Sequence, residues 1–148
     1  MSHRILFLCT GNSARSQMAE ALLPLIAGQD FHTASAGTNP VGVQPATVEA
    51  LQEIGVDWQD RRSKHVEEFF GQSFDYVITV CDRANEACPV FPHTDKLLHW
   101  SFDDPAAAAP ETRSEEFRQV RDEIAERLCA FLMEEFDVAP GVVPCYCC

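Results

Sequence analysis

The segment RILFLCTGNSARSQMAE, residues 4–20, restricts the fold of this chain more than any other. A short apolar run suited to a buried strand passes into a glycine-containing loop and then into a helix-forming stretch. Cys9 stands where the strand gives way to the loop, and Arg15 follows six residues later. A tight loop that feeds a helix amino terminus turns several backbone N–H groups inward. The result is a cradle for a tetrahedral oxyanion.

The rest of the chain repeats the alternation. The pattern predicts strands at 4–9, 31–37, 74–81 and 96–100, the third running apolar and β-branched into Cys81. It predicts helices at 16–27, with Met18, Leu22, Leu25 and Ile26 along one side, and at 45–54, where Pro45 suits a first turn and Gly55 a stop. A shorter helical piece is expected at 63–70. A long helix at 115–135 carries Phe117, Val120, Ile124, Leu128 and Phe131 at steps of three and four. Alternating strands and helices imply a parallel sheet covered on both faces, with ligands beyond the carboxyl ends of the strands. Cys9 and Cys81 both stand at such ends.

Length and charge exclude several functions. The chain has 148 residues and no repeat or internal linker, which makes one domain the expectation. A formal charge of −12 argues against nucleic acid and against anionic membrane surfaces, so an anionic substrate needs a well-formed local site. The apolar run at 5–9 is too short for a membrane span or a signal peptide, and the expected location is the cytoplasm. In that reducing compartment the seven cysteines suit catalytic, redox or metal-binding work better than a disulfide framework. His3, His32, His65, His93 and His99 show no metal-ligand spacing.

The loop residues Thr10, Gly11, Asn12, Ser13, Ala14, Arg15 and Ser16 are the candidate oxyanion site. Gly11 is expected to relieve the crowding of the turn. The Arg15 guanidinium offers a planar, permanently charged fork that matches two oxygens of the anion. A helix amino terminus and a nearby arginine favour a thiolate, which makes Cys9 the candidate nucleophile beneath the bound anion. The plainer alternative is a small buried cysteine and an unrelated surface arginine, which leaves the strand, glycine, hydroxyls and helix around them unexplained.

With CTGNSARSQMAE, SAG at 35–37, ITVCDRANEACP at 78–89 and HWSFDDPA at 99–106, the chain resembles the low-molecular-weight protein tyrosine phosphatase fold family, and within it the thioredoxin-coupled arsenate reductases. The resemblance covers residues 3–136 and implies a flavodoxin-like single domain, with a four-stranded parallel sheet and helices on both faces. It divides the chain into a catalytic domain at 1–139 and a cysteine-rich tail at 140–148. It selects Asp104, before Pro105, as the general acid, with Asp103 a bystander. The aromatic residues that usually follow that Asp-Pro pair in the phosphatases are replaced by AAAAP, which favours a small inorganic oxyanion.

Cys81 and Cys88, separated by six residues after the third strand, are what a reductase needs and a phosphatase does not. The resemblance implies a relay: arsenate on Cys9 leaves as arsenite when Cys81 attacks Cys9, and Cys88 then carries the disulfide outward to thioredoxin. Two inert buried thiols are the alternative. Asn12, Glu20 and Ser35 match positions that brace the loop and bind potassium in some members, but the companion aspartate is Lys64 here. Its ammonium group is expected to replace the cation, so no bound cofactor is expected and potassium dependence is doubtful. Ala14 stands where some relatives carry a further cysteine.

The expected activity is thioredoxin-dependent reduction of arsenate by a monomer. A low-molecular-weight phosphatase is the enzymatic alternative. A non-enzymatic thiol buffer for arsenite or a soft metal is the other, favoured by Cys145, Cys147 and Cys148, which are close enough to converge on one thiophilic ion.

Overall fold

Strand β1 (His3–Cys9) is the centre of the molecule, and its period-two alternation sends side chains into two different cores. Ile5, Phe7 and Cys9 face a large apolar layer, whereas Leu6 and Leu8 face a smaller one. A run in which residues 5–9 are all buried is what a strand covered on both faces requires. The computed structural model describes residues 3–28, 30–81, 91, 94 and 96–136. Cys88, the boundary at 139, and the tail with Cys145, Cys147 and Cys148 lie outside these residues, as does His93.

β2 (Phe31–Gly37), β3 (Tyr76–Thr79) and β4 (Leu97–His99) complete a four-stranded sheet of order β2-β1-β3-β4, with every pairing parallel. β3 is shorter than the apolar run predicts: Cys81 is buried but lies two residues beyond the strand. The register pairs Cys9 with Gly37 and Leu8 with Thr79, so the loop after β1 emerges beside the ends of both neighbours.

Helices α1 (Arg15–Ala27), α2 (Pro45–Gln52) and α3 (Arg113–Phe136) pack around the larger core. In α3, Phe117, Val120, Ile124, Leu128 and Phe131 are all buried, as their spacing requires. Leu25 of α1 is exposed, contrary to its expected place beside Met18, Leu22 and Ile26, because the buried stripe is centred on Leu22, Leu23 and Ile26 and leaves Leu25 at its margin. Pro24 removes the N–H that would bond the Glu20 carbonyl, and the Thr33 hydroxyl donates to that carbonyl instead, at 2.8 Å.

The second face is covered by a 3-10 helix, Val66–Phe69, together with Phe74 and Phe91. This element starts later than 63 because His65 caps it, its Nδ1 accepting the Glu67 N–H while Glu68 receives the His65 N–H. Residues 63 and 64 are left free of helical geometry for another task.

Candidate active site

The loop between β1 and α1 wraps around the Cys9 thiol, which is 2% exposed. Its sulfur receives the Asn12 N–H at 3.1 Å and lies 2.8 Å from the Ser16 hydroxyl. Ala14 occupies the cap position of α1 and has no side-chain acceptor, so the helix start is left open to an anion in the cavity.

The left-handed residue of the turn is Asn12, at φ 49°, rather than Gly11. Asparagine is among the few residues that tolerate this region. What Gly11 supplies is space, since a Cβ there would come 3.1 Å from the Val41 methyl. Gly37 is the more constrained glycine. A Cβ on it would lie 2.3 Å from the Thr10 carbonyl oxygen, so β2 has to end without a side chain for the loop to pass.

The segment joining β2 to α2 runs along the outside of the loop. The N–H groups of Asn39, Val41 and Gln44 donate to the carbonyls of Thr10, Gly11 and Ser13 at 2.9, 3.1 and 3.0 Å. The Thr47 hydroxyl adds a second donor to Ser13, at 2.7 Å. With these carbonyls drawn outward, the loop's N–H groups are free to face inward, which a cradle for an oxyanion needs.

Below the loop lies a buried polar network. The Asn12 side-chain amide donates to the hydroxyls of Ser16 and Ser35 at 2.8 and 3.0 Å, and Ser35 donates to Glu20 at 2.6 Å. Lys64 gives its backbone N–H to the Asn12 side-chain carbonyl at 2.8 Å, and its ammonium lies 3.5 Å from Glu20. Arg61 places a second cation 3.8 Å from the same carboxylate. Asn12 and Ser16 are fully buried in this network and are not among the residues that line the cavity.

The cavity itself, about 250 Å³, is lined by Cys9, Thr10, Gly11, Ser13, Ala14 and Arg15, with Val41, Gln44, Asp104 and Ala106 around its mouth. Arg15 is buried, and its Nη1 donates to the Phe102 carbonyl at 3.2 Å. Its Nη2 lies 3.9 Å from the carboxylate of Asp104, the acid that lines the cavity among the described residues. Asp104 also accepts the Ala106 N–H at 3.0 Å as the cap of a 3-10 turn, Pro105–Ala107. Asp103 does not line the cavity, as expected of a bystander.

Cys81 is buried and disulfide-bonded, while Cys9 carries a free thiol. Among the described residues no cluster of three or more His, Cys, Asp or Glu side chains is arranged to hold a metal ion. Nor is any helix among them long and apolar enough to cross a membrane.

Sequence reasoning missed the residues that hold Asn12 from the other side. Gln17, fully buried, donates its amide to the Asn12 backbone and side-chain carbonyls at 3.2 and 3.0 Å and to the Arg62 carbonyl at 3.1 Å. The Trp58 indole N–H donates to Gln17 at 2.9 Å, and the Ser63 hydroxyl to the Asn12 carbonyl at 2.7 Å. Arg62 is held in turn by a two-pronged bond to Glu68, which depresses the Glu68 carboxyl to about 2. A glutamine one turn into a helix otherwise rich in alanine and leucine was the available signal for Gln17. Trp58 gave none.

A free thiol under an oxyanion loop at the carboxyl edge of a parallel sheet, with an acid across the cavity, is the layout of enzymes that attack tetrahedral oxyanions through cysteine. The chain belongs to the low molecular weight phosphotyrosine protein phosphatase family, whose pattern it matches over residues 4–139. It is 43% identical over 129 residues to an arsenate reductase of Halalkalibacterium halodurans, a match that covers 86% of this chain and 93% of that one. A solved arsenate reductase in the phosphate-binding state is similar at a TM-score of 0.74 and 27% identity, covering 89% of this chain and 98% of the other. A thioredoxin-dependent arsenate reductase of Corynebacterium glutamicum aligns at a TM-score of 0.65 and 28% identity over 90% of this chain and 64% of its own.

Proposed function

We propose that this chain is an arsenate reductase in which Cys9 is the nucleophile and thioredoxin the final source of electrons. The observation that carries the reading is the pairing of a thiol under an oxyanion loop with a second buried cysteine, Cys81, just past the adjacent parallel strand. Arsenate occupies the cavity with its oxygens on the loop N–H groups and the Arg15 fork. The Cys9 sulfur attacks arsenic, and Asp104 delivers a proton to the departing oxygen, which leaves as water.

The Cys81 thiolate then attacks the Cys9 sulfur. A Cys9–Cys81 disulfide forms, the sulfur–arsenic bond breaks, and its electron pair leaves with arsenic as arsenite. Cys88 attacks Cys81, which frees the Cys9 thiolate and moves the disulfide outward, where a thioredoxin dithiol reduces it. A free Cys9 together with a disulfide-bonded Cys81 is the combination the relay expects once Cys9 has been regenerated. The reading places a monomer in the reducing cytoplasm, where thioredoxin is kept in its dithiol form.

Potassium fits poorly here. The Lys64 ammonium and the Arg61 guanidinium both face the Glu20 carboxylate, so that charge is already balanced by side chains of the chain itself. Hydrolysis of aryl phosphates, the activity in the family's name, also fits less well. Among the described residues, the side chains around the cavity include no aromatic wall to grip a phosphotyrosyl ring.

The test is arsenate-dependent consumption of NADPH with thioredoxin and thioredoxin reductase present. Steady turnover is expected from the native chain and none from Cys9→Ser. Hydrolysis of p-nitrophenyl phosphate without arsenate-dependent turnover would assign the chain to the phosphatases instead.

A further inference from the structure

We propose that Gln17, held by Trp58, is the positioning residue for the Cys9 nucleophile, acting through Asn12. The inference rests on the reading of Cys9 above and extends it to side chains that touch neither the cavity nor the thiol. The Asn12 N–H points at the Cys9 sulfur only because Asn12 is held in a left-handed conformation, which costs energy for any residue with a side chain. Something has to over-determine it. The Glu20–Ser35 network holds the Asn12 side-chain amide, Val41 holds the Gly11 carbonyl of the peptide that carries this N–H, and the Ser63 hydroxyl and the Lys64 N–H each reach one Asn12 oxygen.

Gln17 ties the two Asn12 oxygens to a single donor. Its amide nitrogen reaches both Asn12 oxygens, the backbone one at 3.2 Å and the side-chain one at 3.0 Å, and so grips the residue across the axis about which it would rotate. The same nitrogen meets the Arg62 carbonyl at 3.1 Å, which anchors it to the neighbouring segment. The amide itself is oriented by Trp58, whose indole N–H can only donate and therefore requires the Gln17 oxygen, not its nitrogen, at 2.9 Å. The Arg61 guanidinium lies 4.1 Å over the indole ring and packs Trp58 in place. A chain of determined hydrogen bonds therefore runs from Trp58 through Gln17 to the two oxygens of Asn12, the residue whose N–H meets the thiol. Without it Asn12 relaxes, and the sulfur loses a donor that favours the thiolate.

The experiment uses the full chain reduced with a phosphine and follows alkylation of the Cys9 peptide by iodoacetamide against pH, read by mass spectrometry. Gln17→Met keeps the length and removes the amide. Trp58→Phe keeps the ring and removes only the N–H. Arg15 and Asp104, the charged groups lining the cavity among the described residues, are unchanged in both. In Gln17→Met the Cys9 alkylation rate at neutral pH is expected to fall about fivefold, the effect of one net hydrogen bond, with the pH midpoint moved upward. Trp58→Phe should move both in the same direction by about twofold. The arsenite released in a single turnover should slow by matching factors.

A role confined to packing would lower the melting temperature and leave the alkylation profile where it is. That result, in whichever variant folds, overturns the proposal. Should Gln17→Met not fold, Trp58→Phe decides alone. Because alkylation involves no arsenate, a failure here is distinct from a failure of the reductase assignment.

Discussion

The two ends of the sheet are built on different physics. At the amino end, His3, Phe31, Tyr76, Phe131 and Phe136 meet in edge-on contacts with ring centroids 4.6 to 5.6 Å apart. At the carboxyl end, Asn12, Ser16, Gln17 and Ser35 are buried polar groups, each satisfied by named partners. Aromatic contacts are numerous and individually forgiving, and they supply stability. A buried polar network fixes a single geometry and tolerates little change, because every lost partner leaves a desolvated group behind. One end keeps the domain folded, and the other keeps one loop in a conformation it would not adopt alone.

If that division holds, substitutions should separate cleanly. Asp104→Asn is expected to slow the first arsenate turnover by roughly 10²–10⁴, the usual contribution of a general acid, with little change in stability. The amide oxygen of the new side chain can still cap the Ala106 N–H, so single-turnover kinetics and a melting curve on the same sample distinguish chemistry from folding. Phe131→Ala should do the reverse. Removing a fully buried ring from the aromatic cluster should cost about 3–5 kcal/mol in urea denaturation while leaving turnover per folded molecule unchanged. Altered turnover in that variant would break the separation between the two ends.

Subtler tests act on the network's margin. The native chain should turn over equally in potassium and sodium chloride at matched ionic strength, because Lys64 and Arg61 already face Glu20. Lys64→Asp removes that ammonium and adds a carboxylate, and the variant should become a few-fold faster in potassium than in sodium as a bound cation restores the balance. A native chain that itself responds to potassium would contradict this. Glu68→Gln has the smallest effect. The Arg62 bond lowers the Glu68 carboxyl from 4.5 to about 2, so this pair stabilises the fold above about pH 4.5 and stops doing so as pH falls toward 2. Both side chains are largely exposed, so the contribution is small. The stability gap between native chain and variant should narrow across that window in denaturation curves at stepped pH.

The fold was legible because its signals are periodic and local. Alternation in β1 and the spacing in α3 report burial directly, and Cys9, Arg15 and Asp104 meet at one cavity as the motifs imply. What the sequence concealed has no period. Gln17 looks like a helix surface residue until Asn12 is known to turn left-handed beneath it. Trp58 lies 41 positions away from Gln17 and reaches it only through the tertiary fold. Gly11 drew attention as the loop's glycine, yet the left-handed backbone belongs to Asn12 and the closest approach of another segment to Gly37. The start of the helix expected at 63–70 was misjudged because His65 caps from within it, which a pattern of apolar residues does not record.

The segment that passes from Asn39 to Gln44 has a consequence for engineering. Surface connections normally accept insertions and exchange freely between homologous scaffolds. This one meets the carbonyls of Thr10, Gly11 and Ser13 at fixed intervals, so its length is matched to the loop it follows. One added residue would shift every later N–H out of step with its acceptor, and the carbonyls so released could swing toward the space meant for an anion. The transplantable unit is therefore the pair of segments together, and a graft of residues 9–16 alone into another parallel sheet would carry the nucleophile without the mould that shapes its pocket.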